Sequence, residues 1–373
     1  MLRSRISYFV FVVGTLFSLT VLVNAQSGRV QPTPTPDKDG DTVRIVTEEV
    51  KLNVIAFDED GKFVPNVTDK DLVITENNVL HQASSVRRIP ANVLIVMDTG
   101  GELRWVKSLD QTRKVARGII NALKPEDSIA LLQYSDKPEI VAEWTTEKSD
   151  VLAAVGKTKF GKRSAFVKAL ALATDFLNKN PLENKHLILI SDGTDSTADR
   201  SSKARALRNL LAFDITVHVI SYTRMETDNV TPRTKMLSKT PPPKAMPDEV
   251  VAGLPNGVRQ TAQAPKIGPT INMDRQLLKT LKARKADLEL SEEQLSDLAE
   301  NTNGEMIIPT TPEEMVEKSA LVAKMIDSSY VVTYTPKIAL NENFGERDII
   351  VTSKRAGLVV EARRKLILND ARP

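Results

Sequence analysis

Two short polar segments, each directly behind an unbroken apolar run, hold most of the side chains that could do chemistry. Val93-Leu94-Ile95-Val96-Met97 leads into Asp98-Thr99-Gly100-Gly101-Glu102, and Leu187-Ile188-Leu189-Ile190 leads into Ser191-Asp192-Gly193-Thr194-Asp195. A third polar stretch, Gly161-Lys162-Arg163-Ser164, opens a helical pattern at Val167. Carboxyl groups gathered from separate loops repel one another unless a cation or a shared proton offsets their charge. The chain has no Cys and only 3 His, at positions 81, 186 and 218, with unrelated spacings. Thiol nucleophiles, thiolate metal sites, iron-sulfur clusters and disulfides are therefore excluded. Any metal must be held by oxygen, which selects Mg²⁺, Mn²⁺ or Ca²⁺.

The elements that must position these groups alternate. Apolar runs with no polar interruption suit strands buried on both faces. Leu103, Val106, Leu109, Val115, Ile119 and Leu123 recur at helical spacing until Pro125, and further helices are expected at Val167 to Leu177, Lys203 to Leu211 and Pro312 to Ile326. Strands are expected at Ser128 to Gln133, Glu139 to Trp144, Ile215 to Ile220 and Met306 to Ile308. This order over 91–328 predicts an α/β fold, a doubly wound, mainly parallel sheet with helices on both faces. Ligands of such sheets bind at the C-terminal strand ends, which is where Asp98 and Asp192 stand.

The flanks differ in character. Val50, Leu52, Val54 and Ala56 alternate before an Asp60-Gly61 turn, and Leu72 to Thr75 and Val79 to Ile89 give further strand signals. At the far end, Tyr330 to Tyr334, Arg347 to Thr352 and Leu358 to Ala362 are rich in Val, Ile and Tyr. Neither flank supplies enough strands for a stable sheet. Segments 43–90 and 329–373 are therefore expected to pack together as one β-rich module. Between about 224 and 290, scattered prolines such as Pro241-Pro242-Pro243 read as an insertion within the α/β domain, a solvated loop carrying one polar helix from Asp274 to Leu288.

A length of 373 residues suits more than one domain, and 41% hydrophobic with 27% charged residues is a globular balance. The net charge of +3 offers no bulk attraction to nucleic acid or to an anionic membrane. Arg3 and Arg5, the apolar stretch Ile6 to Val23 and the closing Val23-Asn24-Ala25 follow the order of a signal peptide over 1–25, ahead of a Pro-rich linker over 26–42. The expected location is secreted or periplasmic, with no membrane attachment after cleavage.

From Asn92 to Ile326 the chain resembles the von Willebrand factor type A family, and within it a bacterial exported subgroup. The edges of that subgroup look like Arg87-Arg88-Ile89-Pro90 here, together with Tyr330-Val331-Val332-Thr333-Tyr334-Thr335-Pro336 and Gly357 to Arg364. The resemblance implies a metal-ion-dependent adhesion site: an Asp-x-Ser-x-Ser loop after the first strand, a Thr before a helix and an Asp after the fourth strand. Asp98 matches the first Asp, Ser164 stands for the Thr, and Asp192 matches the later Asp. Gly100 replaces the first Ser and has no side-chain oxygen, while Glu102 replaces the second with a carboxylate. The implied ligand set is thus Asp98, Gly100, Glu102, Ser164 and Asp192, a degenerate site for Mg²⁺ or another divalent cation. A missing hydroxyl weakens an octahedral site, and an added carboxylate lowers the ion's attraction for an acidic partner group.

The function so implied is non-catalytic binding of a protein, matrix or envelope ligand. Plainer roles for Asp98, Asp192 and Ser164 are helix caps. A second reading is a metal-free interaction scaffold in the envelope. A distant third is an aspartic-type hydrolase, because Asp98-Thr99-Gly100 resembles a loop in which two carboxylates share a proton. The chain has one such tripeptide, followed by a helical pattern. It has no Gly-x-Ser-x-Gly, His-Glu-x-x-His, phosphate loop or dinucleotide fingerprint, which favours a protein that is not an enzyme.

Overall fold

Alternation of strand and helix organises the middle of the chain, and antiparallel strands from both ends flank it. The computed structural model describes residues 49–101, 108–179, 182–235, 237–238, 270–271, 275–338 and 345–368. The leader and linker expected over 1–42, and Glu102 and Trp105, lie outside them. Contacts divide the chain after Val46, and every described residue belongs to the unit Thr47–Pro373.

The first strands are β1 (Val50–Asp58), β2 (Leu72–Glu76), β3 (Val79–His81) and β4 (Ser85–Arg87). There follow β5 (Asn92–Asp98), α1 (Leu109–Ala122), β6 (Ser128–Tyr134), β7 (Pro138–Thr145), α2 (Lys148–Lys157), α3 (Phe166–Asn178), β8 (Lys185–Ile190), α4 (Arg200–Leu210) and β9 (Thr216–Ile220). Next come α5 (Thr223–Thr234), the short pair β10 (Leu237–Ser238) and β11 (Thr270–Ile271), α6 (Arg275–Asn301), β12 (Met306–Ile307) and α7 (Pro312–Asp327). The chain closes with β13 (Ser329–Tyr334), β14 (Gly345–Ser353), β15 (Leu358–Ala362) and β16 (Lys365–Leu368).

The central sheet runs β12-β9-β8-β5-β6-β7, parallel throughout except for β7. The chain builds outward from β5 through β6 to β7, returns to β8 on the other side of β5, and continues through β9 to β12. Strand order therefore reverses between β5 and β8, the place where doubly wound sheets open a crevice. Each face of β5 is covered. Val93, Ile95 and Met97 share a core with α1, α2 and α7, whereas Leu94 and Val96 share one with α3, α4 and α6. Each such side chain contributes on the order of 1.5–3 kcal/mol by leaving water.

The flanking strands form two antiparallel sheets, β15-β1-β13-β4 and β16-β14-β2-β3. Their inner faces close over one core that includes Leu52, Val54, Leu72, Ile74, Val332, Tyr334, Ile349 and Val351. Both ends of the chain thus build one β-rich module, as the sequence predicts. The single strand expected over Val79 to Ile89 is two. Asn77 and Asn78, at φ 47 and 65, make a tight turn that holds β3 on β2. The chain then crosses at the buried Ala83 to pair β4 with β13 in the other sheet.

Two further differences concern the segment read as a solvated insertion. Thr223–Thr234 is a helix, and α6 runs unbroken for 27 residues instead of stopping near Leu288. Leu278, Leu281, Leu288, Ser291, Leu295 and Leu298 form a continuous buried stripe, so tertiary packing carries the helix through Ser291. The helix α2 is also absent from the sequence reading.

The module meets the α/β domain at the end of the sheet away from Asp98. Asn53 Nδ2 donates to Thr216 Oγ1 at 2.9 Å, where β9 begins. Asn303, in left-handed geometry at φ 62, donates to the carbonyls of Asn53 and Glu361 at 3.1 and 3.2 Å. Arg363 donates to the carbonyls of Leu211, Phe213 and Lys365.

Two buried histidines lie near that same end of the sheet. Glu305 N–H donates to His218 Nδ1 at 3.2 Å, so Nε2 must carry the proton that joins His186 Nδ1 at 3.2 Å. His186 Nε2–H then donates to Asn184 Oδ1 at 2.9 Å, and Asn184 Nδ2 to Ile89 O at 3.0 Å. The chain of donors works only with both rings neutral. Burial lowers His218 to about 4, and burial followed by the facing ring holds His186 well below the usual histidine range. Both rings therefore serve as hydrogen-bonded scaffold between β8, β9 and the segment before β12.

Candidate functional site

Parallel pairing sets Met97 beside Ile190, so the residues after β5 and after β8 leave the sheet on one rim. That rim is the reversal point. Asp98 is 0% exposed and Asp192 2%, so neither carboxyl group meets bulk water. Buried polar groups of this kind must be satisfied locally.

Asp98 Oδ1 accepts from Gly100 N–H at 3.0 Å. Its Oδ2 accepts from the hydroxyls of Ser164 and Ser191, both at 3.4 Å, which is long for such bonds. The Ser191 hydroxyl lies 2.6 Å from Tyr134 OH. Burial, then the charge of Asp98, raises the Tyr134 pKa well above the usual phenol range. With Ser191 donating to Asp98, Tyr134 donates to Ser191, and a short relay ends on the carboxyl group.

The three loops are knitted together by backbone. Gly161 N–H donates to Thr99 O at 3.3 Å, Ala165 N–H to Ser135 O at 2.9 Å and Ser196 N–H to Ser164 O at 2.8 Å. A Cβ on Gly100 would stand 1.9 Å from the Arg163 carbonyl oxygen and 2.9 Å from Ser135 Cα. Glycine is therefore required by contact with the neighbouring loop, and a serine has no room there.

Ser164 is not the cap of α3. That position belongs to Ala165, and the free Val167 N–H donates to Asp195 Oδ2 at 2.7 Å from the loop after β8. Asp195 Oδ1 also accepts from Thr197 and Ala198 N–H at 2.6 and 2.8 Å. Asp98 and Asp192 accept within their own loops, while Ser108 and Asp199 cap α1 and α4.

Asp192 is the most heavily engaged group. Its Oδ1 accepts from Thr194 N–H at 2.9 Å and from the Thr194 hydroxyl at 2.7 Å. Its Oδ2 accepts from Arg284 Nη2 at 2.8 Å, and Arg284 Nη1 reaches Thr194 Oγ1 at 2.5 Å. Arg284 comes from α6, 92 residues along the chain, and its side chain is 20% exposed. Burial works against its charge, but Asp192, Glu226 and Asp98 outweigh that and raise its pKa above the usual arginine range. A second cation stands behind the same loop. Lys203 Nζ donates to Ser291 Oγ at 2.6 Å, and burial lowers its pKa to about 8 against the pull of Asp192, Asp287 and Asp195.

Of the residues proposed from sequence, the structure brings Asp98 and Ser164 into contact and places Gly100 against the same carboxyl group. Asp192 stands on the same rim and is tied to Arg284. Glu102 lies outside the described residues. Sequence reading named Ser191 without giving it a role, and it missed Tyr134, Glu226 and above all Arg284. A signal existed for the last: Arg284, Leu288, Ser291, Leu295 and Leu298 recur at spacings of four and three, so the arginine continues a buried stripe. Among the described residues no group of three or more His, Asp or Glu gathers in a way that could hold a metal ion. With Asp192 bound to a guanidinium and Gly100 walled in, the described donors do not fit a divalent cation.

A reversing parallel sheet with paired polar loops on its rim defines an open-sheet binding domain. A family model for the von Willebrand factor type A domain matches residues 93–194. Solved structures match the chain at low identity. One is a von Willebrand factor type A protein from Catenulispora acidiphila, at 13% identity and TM-score 0.42, covering 83% of this chain and 76% of that one. Another is a manganese-loaded TRAP protein from Plasmodium vivax, at 12% identity and TM-score 0.36, covering 84% and 97%. A third is an aerotolerance-related membrane protein from Bacteroides fragilis, at 10% identity and TM-score 0.37, covering 64% and 98%. No curated protein matches the chain.

Proposed function

We propose that this is an exported, non-catalytic binding protein that engages a protein or envelope ligand through the loops around Asp98, Ser164 and Asp192. The observation that carries the reading is the convergence of those loops at the strand-order reversal, with the β-rich module docked at the opposite end of the sheet. Export rests on the basic, apolar and small-residue order of 1–25.

The manner of binding is metal-free. The family implies a cation at Asp98, Gly100, Glu102, Ser164 and Asp192, but Arg284 already neutralises Asp192. Asp192 is equally engaged against sharing a proton with Asp98, which argues against an aspartic-type hydrolase. The test is co-purification from the native envelope with the full chain and with Lys162→Glu/Arg163→Glu, two exposed rim residues. Partners should be lost from the rim variant and retained in chelator. An identical set retained by both chains would place the binding face elsewhere.

A further inference from the structure

Arg284 is placed by more than its own two hydrogen bonds. The helix that carries it is moulded to the loop after β8 along one face. Gly193, at φ +66, leaves out a Cβ that would stand 2.6 Å from Leu295 Cδ1, so a side chain there would be strained and would force Leu295 to move. One turn before Leu295, Ser291 Oγ reaches the Gly193 carbonyl at 3.4 Å and receives Lys203. Two turns before that, Arg284 closes on Asp192 and Thr194. Glu292, next to Ser291, ties α6 to α5 through Thr223 Oγ1 at 2.5 Å and Arg224 at 3.3 Å. The guanidinium is thus delivered by a packed helix, and its position is as determined as that of the loop it meets.

Resting on the rim being the binding face, we propose that Arg284 is the resident cation of this site, the group that keeps a divalent ion out of it. The chemistry is substitution of one positive charge for another. Both oxygens of Asp192 accept hydrogen bonds, one of them from the guanidinium, and a cation approaching that carboxylate meets the fixed positive charge of Arg284 and the ammonium of Lys203. An arginine cannot be neutralised by deprotonation, so the exclusion holds across the physiological pH range. Electrostatic need is met at the same time, because Asp98, Asp192 and the buried Glu226 all act on the one guanidinium. The helix that carries Arg284, read from sequence as part of a solvated insertion, is thus the element that keeps the ion out.

The experiment is Mn²⁺ titration by electron paramagnetic resonance on the full chain, with Arg284→Ala, Arg284→Gln and Arg284→Ala/Asp192→Asn, and with thermal midpoints followed by circular dichroism. Wild type should show weak binding or none. Arg284→Ala should bind at least about tenfold more tightly and show a midpoint that rises with Mn²⁺, and the added Asp192→Asn should abolish both gains. Arg284→Gln keeps the stem and a donor, so it reports the loss of charge if the alanine variant fails to fold. Equal Mn²⁺ affinity in wild type and variants overturns the proposal, and so does a complete lack of gain in every variant, since other missing donors would then exclude the ion. Loss of partners from the rim variant is read separately, so failure of the binding-face reading and failure of this one are distinguishable.

Discussion

Acidification offers a sharp test of the folded packing, because His186 and His218 are both buried and both held neutral by one chain of hydrogen bonds. Above pH 6.5 the rings are neutral in the folded and unfolded chain alike and contribute no pH dependence. Below 6.5 the unfolded chain takes up protons that the folded chain refuses, so stability falls as pH falls. His218 refuses its proton down to about 4, a gap that costs about 3 kcal/mol once pH has crossed it, at roughly 1.4 kcal/mol per pH unit. His186 acts in the same direction, through burial and then the neighbouring ring. Urea unfolding followed by tryptophan fluorescence should therefore show a slope of about 1.4 to 3 kcal/mol per pH unit between 6.5 and 5, a window above most carboxylate titration. The ring resonances of both histidines should stay in their neutral positions by NMR over the same window. A flat stability profile there, or ring signals of either residue titrating near 6.5, would refute the donor chain.

Two substitutions probe the rim. Gly100→Ser restores the family's serine on paper, yet the Arg163 carbonyl leaves no room, so it should destabilise the chain by about 1–3 kcal/mol without creating Mn²⁺ affinity. A stable variant that binds Mn²⁺ would show that the 161–164 loop yields. Asp195→Ala removes the acceptor for Val167, Thr197 and Ala198 N–H, and should cost about 1–2 kcal/mol in urea unfolding, where a change under about 0.5 kcal/mol would contradict its role in satisfying the first turn of α3.

How much of this was legible depended on whether the cause lay near in sequence. The runs Val93 to Met97 and Leu187 to Ile190 announced themselves, since burial on both faces removes polar alternation, and the acids behind them follow from strand direction. The tight turn at Asn77-Asn78 was equally readable. Arg284 was legible only as the continuation of a helical stripe and not as a site residue, because the carboxyl group that explains it lies 92 residues upstream. The course of α6 through Ser291 was obscured for a related reason: a serine interrupts the apolar repeat, and what makes it fit is the Gly193 carbonyl and Lys203 of distant segments. Gly100 could be read as a missing hydroxyl but not as a required contact, since the carbonyl that excludes a side chain belongs to Arg163. The split of β3 from β4 depends on which sheet each finds, a choice made by β2 and β13.

Strand β1 lies between β13 and β15, paired with Ser329–Tyr334 on one side and Leu358–Ala362 on the other. It is among the first described segments to be synthesised, and both of its neighbours are among the last. Joining such distant partners costs little more entropy than joining nearer ones, because loop closure grows only logarithmically with length. The delay is the heavier burden. Leu52 and Val54 have no native strand partners until Ser329–Ala362 has emerged, so the module cannot mature before then and the nascent chain carries an apolar ribbon in the meantime.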